Sequence, residues 1–170
     1  IRPRQGAIVS SQFKTLEELI RHGAEFAAVC FKQTGHLEPM WICETHSGDL
    51  MIVGGDMPSH IGNDRNKLAA MLKAAFRAHG VVRYVFMTEA WALDCEGQSR
   101  EDLPASIKAG ASIESHPDRR EVISLTGEEK GRHLMGTMYI LRPEHGPAKL
   151  TKFELFDGDK IEGRFSGLLT

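Results

Sequence analysis

From about Thr15 to Gln33 apolar residues recur at every third or fourth position. Leu16, Leu19, Ile20, Gly23, Phe26, Ala27, Cys30 and Phe31 fall on one helical stripe, with Glu17, Arg21, Glu25 and Lys32 opposite. Thr15 followed by Glu18 is a capping-box pattern, Glu17 and Glu18 suit the positive start of a helix, and Gly35 supplies a left-handed stop. A second stripe of Leu68, Leu72, Ala75, Phe76 and His79 predicts a helix over Asp64–His79, ended by Gly80.

Between and after the helices the pattern changes to short β-forming runs. Pro39–Thr45 and Asp49–Val53 flank a polar, glycine-containing connection and predict a hairpin. Gly54–Asn63, with paired glycines, Pro58 and Gly62, reads as a loop. Val81–Leu93 is the most apolar stretch and predicts a long central strand. Three further strands follow over about Glu121–Thr126, His133–Arg142 and Lys149–Phe156, the last turning through Asp157-Gly158-Asp159 into Lys160–Phe165.

Short connections between strands argue for antiparallel pairing. The expected fold is therefore α+β: a two-layer sandwich, with a mostly antiparallel sheet of about five to seven strands and both main helices packed on one face. In that arrangement Phe26 and Leu72 point at the same sheet face. Residues 1–170 form a single domain without internal repeats, interrupted by one long irregular excursion, 94–116. Within it Leu103, Ile107 and Ile113 are the apolar anchors, and Glu96–Asp102 is the stretch expected to move most.

Composition narrows the class. With 170 residues, a formal net charge of -2 and ordinary glycine and proline content, the chain matches neither disordered nor fibrous proteins. No apolar run reaches the ~18 residues of a membrane span. The near-neutral charge creates no field for nucleic acid, and the basic residues Arg65, Lys67, Lys73 and Arg77 of the second helix read as a solvated face. Cys30, Cys43 and Cys95 are odd in number and widely spaced, which points to a reducing compartment and a cytoplasmic protein; Ile1–Ser11 lacks the layout of a secretory signal.

No short catalytic motif occurs: there is no GxGxxG, P-loop, HExxH or GxSxG. The densest polar constellation is Glu114–Glu121, where an extended backbone would place His116 and Asp118 on one side, able to share a divalent metal or a proton. Glu89 interrupts an apolar strand and is a candidate general acid or base, with an ion pair to Arg83, or to an arginine of a neighbouring strand, as its structural alternative. Cys43 and His46 have the spacing of a zinc pair, with His36 and His60 as the neighbouring histidines. Pro117-Asp118 with Glu128-Glu129-Lys130 echoes a metal-nuclease pattern, but the bracketing Gly127 and Gly131 suggest a turn.

Two function classes follow. The first is a non-catalytic binding or assembly domain, using edge strands or the excursion for self-association or a protein partner. The second is a metal-dependent hydrolase in which Glu89, His116 and Asp118 are catalytic and His116, Asp118 and His46 hold the metal. No motif implies a cofactor, and a divalent metal enters only with the second class. The absence of convergent chemistry favours the first.

Overall fold

The computed structural model describes residues 13–54, 64–93, 116–157 and 167–169. The elements run α1 (Leu16–Thr34), β1 (Met40–Thr45), β2 (Leu50–Gly54), α2 (Arg65–Ala78), β3 (Val81–Leu93), β4 (Arg119–Glu129), β5 (Arg132–Leu141), β6 (Lys149–Leu150) and β7 (Glu154–Asp157). All strands pair antiparallel in one sheet of order β2-β1-β3-β4-β5, and the outer side of β5 is shared by β6 and β7. This is the expected α+β class. Among the described residues no helix is long and apolar enough to cross a membrane.

Both helices begin as their sequences dictate. The Thr15 hydroxyl accepts the Glu18 amide at 3.2 Å, while the Glu18 carboxylate reaches back to the Lys14 amide at 2.6 Å. Asp64 accepts the amides of Asn66 and Lys67 at 3.1 and 3.0 Å. At the far end of α1, Gly35 takes φ 77° and its amide bonds to the Phe31 carbonyl.

The helices do not share a face. α1 buries Leu16, Leu19, Ile20, Ala24, Ala27 and Phe31 against Ile42, Val85, Met87, Ile123, Leu125 and Leu134. On the opposite side of the sheet, Leu68, Leu72 and Phe76 of α2 pack with Trp41, Cys43 and Tyr84. Phe26 and Leu72 thus belong to different cores, and Phe26 is only partly buried. The physical reason lies in β1. Its Trp41-Ile42-Cys43 run is apolar on both sides, so the middle of the sheet needs cover on both faces. An amphipathic stripe shows that a helix packs, without showing on which side. His79, read as part of the α2 stripe, is instead the exposed C-cap.

β4 runs three residues beyond its expected end and includes Gly127, Glu128 and Glu129. Gly127 belongs in the strand because α1 lies directly over it. A Cβ there would come within 3.2 Å of Leu16 Cδ1. The strand expected over Lys149–Phe156 is split in two. At the break the Thr151 hydroxyl, at 2.9 Å, accepts the Tyr139 amide, so a side chain replaces a ladder carbonyl. Residues 94–115 of the excursion lie outside the described residues, as do 55–63 and the expected strand over 160–165.

Candidate functional site

The residues singled out by the sequence are dispersed. His46 follows β1, and its amide donates to the Gly80 carbonyl at the start of β3. His116 precedes β4, whose Arg119 pairs with Leu93 at the other end of β3. The thirteen residues of β3 span about 40 Å, so His46 cannot join His116 and Asp118 around one metal. His116 and Asp118 form a turn, not an extended strand; His116 Nδ1 accepts the Asp118 amide at 3.2 Å, and the Asp118 side chain is 84% exposed. Glu89 is not paired with Arg83. Its carboxylate accepts the Leu37 amide at 2.6 Å and so ties down the segment leaving α1. Asp118 and Glu128, the two ends of the nuclease-like pattern, stand ten residues or about 33 Å apart along β4.

The zinc pair is likewise separate. Cys43 is fully buried, and burial pushes its thiol far above the ordinary range. His36 pairs with Glu38 at 3.4 Å on the surface, and His60 and Cys95 lie outside the described residues. Among the described residues no three His, Cys, Asp or Glu side chains converge to hold a metal ion.

What the fold does bring together is a row across one end of the sheet. On the α2 face, strand register aligns Cys43 of β1 with Tyr84 of β3, Glu128 of β4 and His133 of β5. Glu128 is 2% exposed. Its Oε2 accepts the Tyr84 hydroxyl at 2.5 Å and the Gly167 amide at 2.7 Å, and its Oε1 accepts the Leu169 amide at 3.4 Å. His133 Nε2 stands 3.7 Å from Glu128 Oε2 on the more open side. Burial, reinforced by the hydrogen bond and charge of Glu128, pushes the Tyr84 hydroxyl well above its ordinary value and keeps it neutral.

Two backbone N–H groups, of Gly167 and Leu169, thus point at the Glu128 carboxylate beside the Tyr84 hydroxyl. Gly167, at φ 70°, supplies the left-handed step that turns them together. Leu168, 4% exposed, enters the apolar cluster of α2. Beside it a cavity of ≈ 230 Å³ is lined by Phe76, Arg77, Gly80, Val81, Leu168 and Leu169. Tyr84 was not a sequence candidate, and Glu128 entered only as part of the nuclease-like pattern, where the glycine on either side of Glu128-Glu129-Lys130 read as a turn.

The opposite face of the same sheet end carries a second charged row. Arg83 Nε lies 2.9 Å from Glu44 Oε2, with Glu129 at 3.7 Å, and Arg132 bridges Glu129 and Glu17 of α1. Among the described residues the carboxylates of Glu44, Glu128 and Glu129 thus face a guanidinium or backbone amides.

The two edges of the sheet differ. β5 is flanked by two short strands that carry Lys149, Glu154 and Asp157. β2, at the other edge, reads Leu50-Met51-Ile52-Val53-Gly54 without charge or proline, and Ile52 is 58% exposed. Among the described residues β2 pairs only with β1. Comparison with protein-family models, curated proteins and solved structures gives no match for this chain.

Proposed function

We propose that this chain is a binding or assembly domain without catalytic chemistry of its own, and that it self-associates by pairing β2 with β2 of a second copy. The observation that carries the reading is the contrast between the sheet edges. Natural edge strands are blunted by charge, proline, shortness or bulges. β6 and β7 follow that rule, whereas β2 lacks charge and proline and exposes Ile52.

Pairing about a two-fold axis centred on Ile52 sets Ile52 against Ile52, Met51 against Val53 and Leu50 against Gly54. Such an interface is isologous and joins apolar residues without opposing like charges. The two strand carboxylates support the same reading, because Glu89 and Glu128 spend their oxygens on backbone amides. Cys30 and Cys43 are free thiols, in keeping with a reducing compartment such as the cytoplasm.

Light scattering after size exclusion tests the proposal with Ile52→Lys, which adds an edge charge at an exposed position. The natural chain should elute as a dimer at micromolar concentration, and the variant as a monomer with an unchanged circular dichroism spectrum. A natural chain that is monomeric at every concentration contradicts it.

A further inference from the structure

The two helices differ in what they show to solvent. On α1 the exposed charges, Glu18, Arg21, Glu25 and Lys32, alternate in sign, as a solvated face does. On α2 they do not. The N-cap Asp64 spends its carboxylate on the amides of Asn66 and Lys67, and the helix after it has no acidic residue. Lys67 and Arg77 are exposed and Lys73 partly so, and among the described residues none of the three has an ion pair. This positive face stands on a chain whose formal net charge is -2. Helical spacing sets the three cations around an apolar strip. Ala70 and Ala74 lie at its centre, with Lys67 and Met71 on one side and Lys73 and Arg77 on the other, while Leu68, Leu72 and Phe76 face the sheet. Ala70, Ala74 and Ala78 are exposed, and Met71 is 42% exposed. Over the fourteen residues of α2 the strip is about 21 Å long.

We propose that the outer face of α2 docks an acidic amphipathic helix of a partner protein, one with apolar residues along its contact line and Glu or Asp on both borders. Alanines at the centre let a second helix reach the packing distance of about 8–10 Å between axes. The cations on either side then meet the carboxylates that border it. A second copy of this chain does not fit, because antiparallel α2 helices set Lys67 against Arg77. A membrane surface calls for bulky apolar anchors, and of these the strip offers Met71 alone. Single-stranded nucleic acid calls for aromatic side chains between the cations, where α2 has alanines. This face points away from the sheet, so it stands or falls independently of β2 pairing.

Titration of the whole chain, followed by amide NMR, tests this with a synthetic helical peptide whose Leu/Ala contact line is bordered by Glu. A Lys-bordered peptide and a scrambled Glu peptide serve as controls. The Glu peptide should bind saturably, shift the amides of Lys67 to Ala78, and weaken as salt is raised. Lys67→Glu combined with Arg77→Glu should weaken it about tenfold or more. Ala74→Gln, which keeps every charge but fills the centre of the strip, should do the same. All three positions are exposed, so the variants keep the fold. Absence of saturable binding overturns the proposal, as does equal binding of either control. Full affinity in Ala74→Gln also overturns it, because the contact is then charge alone. Tighter binding of single-stranded DNA or anionic vesicles through Lys67 and Arg77 overturns it too, since the face then serves another class of partner.

Discussion

Tyr84 and Glu128 face each other directly across the β3–β4 ladder, and the phenol donates to the carboxylate at 2.5 Å in a site closed to water. Removing the hydroxyl leaves a buried anion with one donor fewer. Hydrogen bonds to buried charges are worth about 1.5–3 kcal/mol each. Tyr84→Phe should lower the unfolding free energy by at least that amount in urea titration. A loss under about 0.5 kcal/mol would mean that the pair is dispensable.

Alkaline stability should report the same burial. Cys43 and Tyr84 are both raised above their ordinary values of 9.0 and 10.0, so the folded chain keeps them neutral while the unfolded chain ionises. Their contribution is intact below those values and is lost as pH rises through them. Each group then costs about 1.4 kcal/mol per pH unit. Denaturation midpoints followed from pH 8 to pH 11.5 should fall less steeply for Tyr84→Phe than for the natural chain. Parallel slopes would contradict the assignment.

The charged row on the α1 face separates a buried ion pair from an exposed one. Arg83 and Glu44 are 16% and 7% exposed at their side chains, Arg132 and Glu17 41% and 43%. Arg83→Met strands a buried carboxylate and should cost about 3 kcal/mol or more, whereas Arg132→Met, at a solvent-screened pair, should cost far less. Equal losses would show that the two pairs share one environment.

The elements were legible where one physical signal dominated. Thr15, Glu18 and Gly35 bracket α1 in the sequence as they do in space, and β3 occupies Val81–Leu93 as its β-branched and aromatic run predicts. Glu128 was hidden by its neighbours. Gly127 and Gly131 look alike in sequence, but only Lys130 and Gly131 make the turn, while Gly127 is small because Leu16 and Ile20 cross above it. A close approach from an element more than a hundred residues away leaves no local pattern. The same holds for Gly167–Leu169, since nothing near Leu168 announces that Glu128 will capture its neighbours' amides.

Placement of the helices on opposite faces has its own consequence. Leu19 and Leu72 lie in separate cores on either side of the sheet. Each truncation to alanine should cost about 2–5 kcal/mol. The double variant should show their sum within about 0.5 kcal/mol, as for sites that share no partner. A coupling above about 1 kcal/mol would return both helices to one layer.

Two-fold pairing of β2 is the central claim, and a single engineered disulfide tests it most directly. Antiparallel partners sit about 4.5–5.5 Å apart between Cα atoms, within the range a disulfide spans. In a chain with Cys30, Cys43 and Cys95 replaced by serine, Ile52→Cys places two thiols at the symmetry axis. Leu50→Cys, paired with Gly54 of the other copy, does not, and Val29→Cys on the exposed side of α1 reports random collision. Under mild oxidation Ile52→Cys should form a covalent dimer at least tenfold faster than either control. Equal rates at all three positions would contradict pairing through this edge.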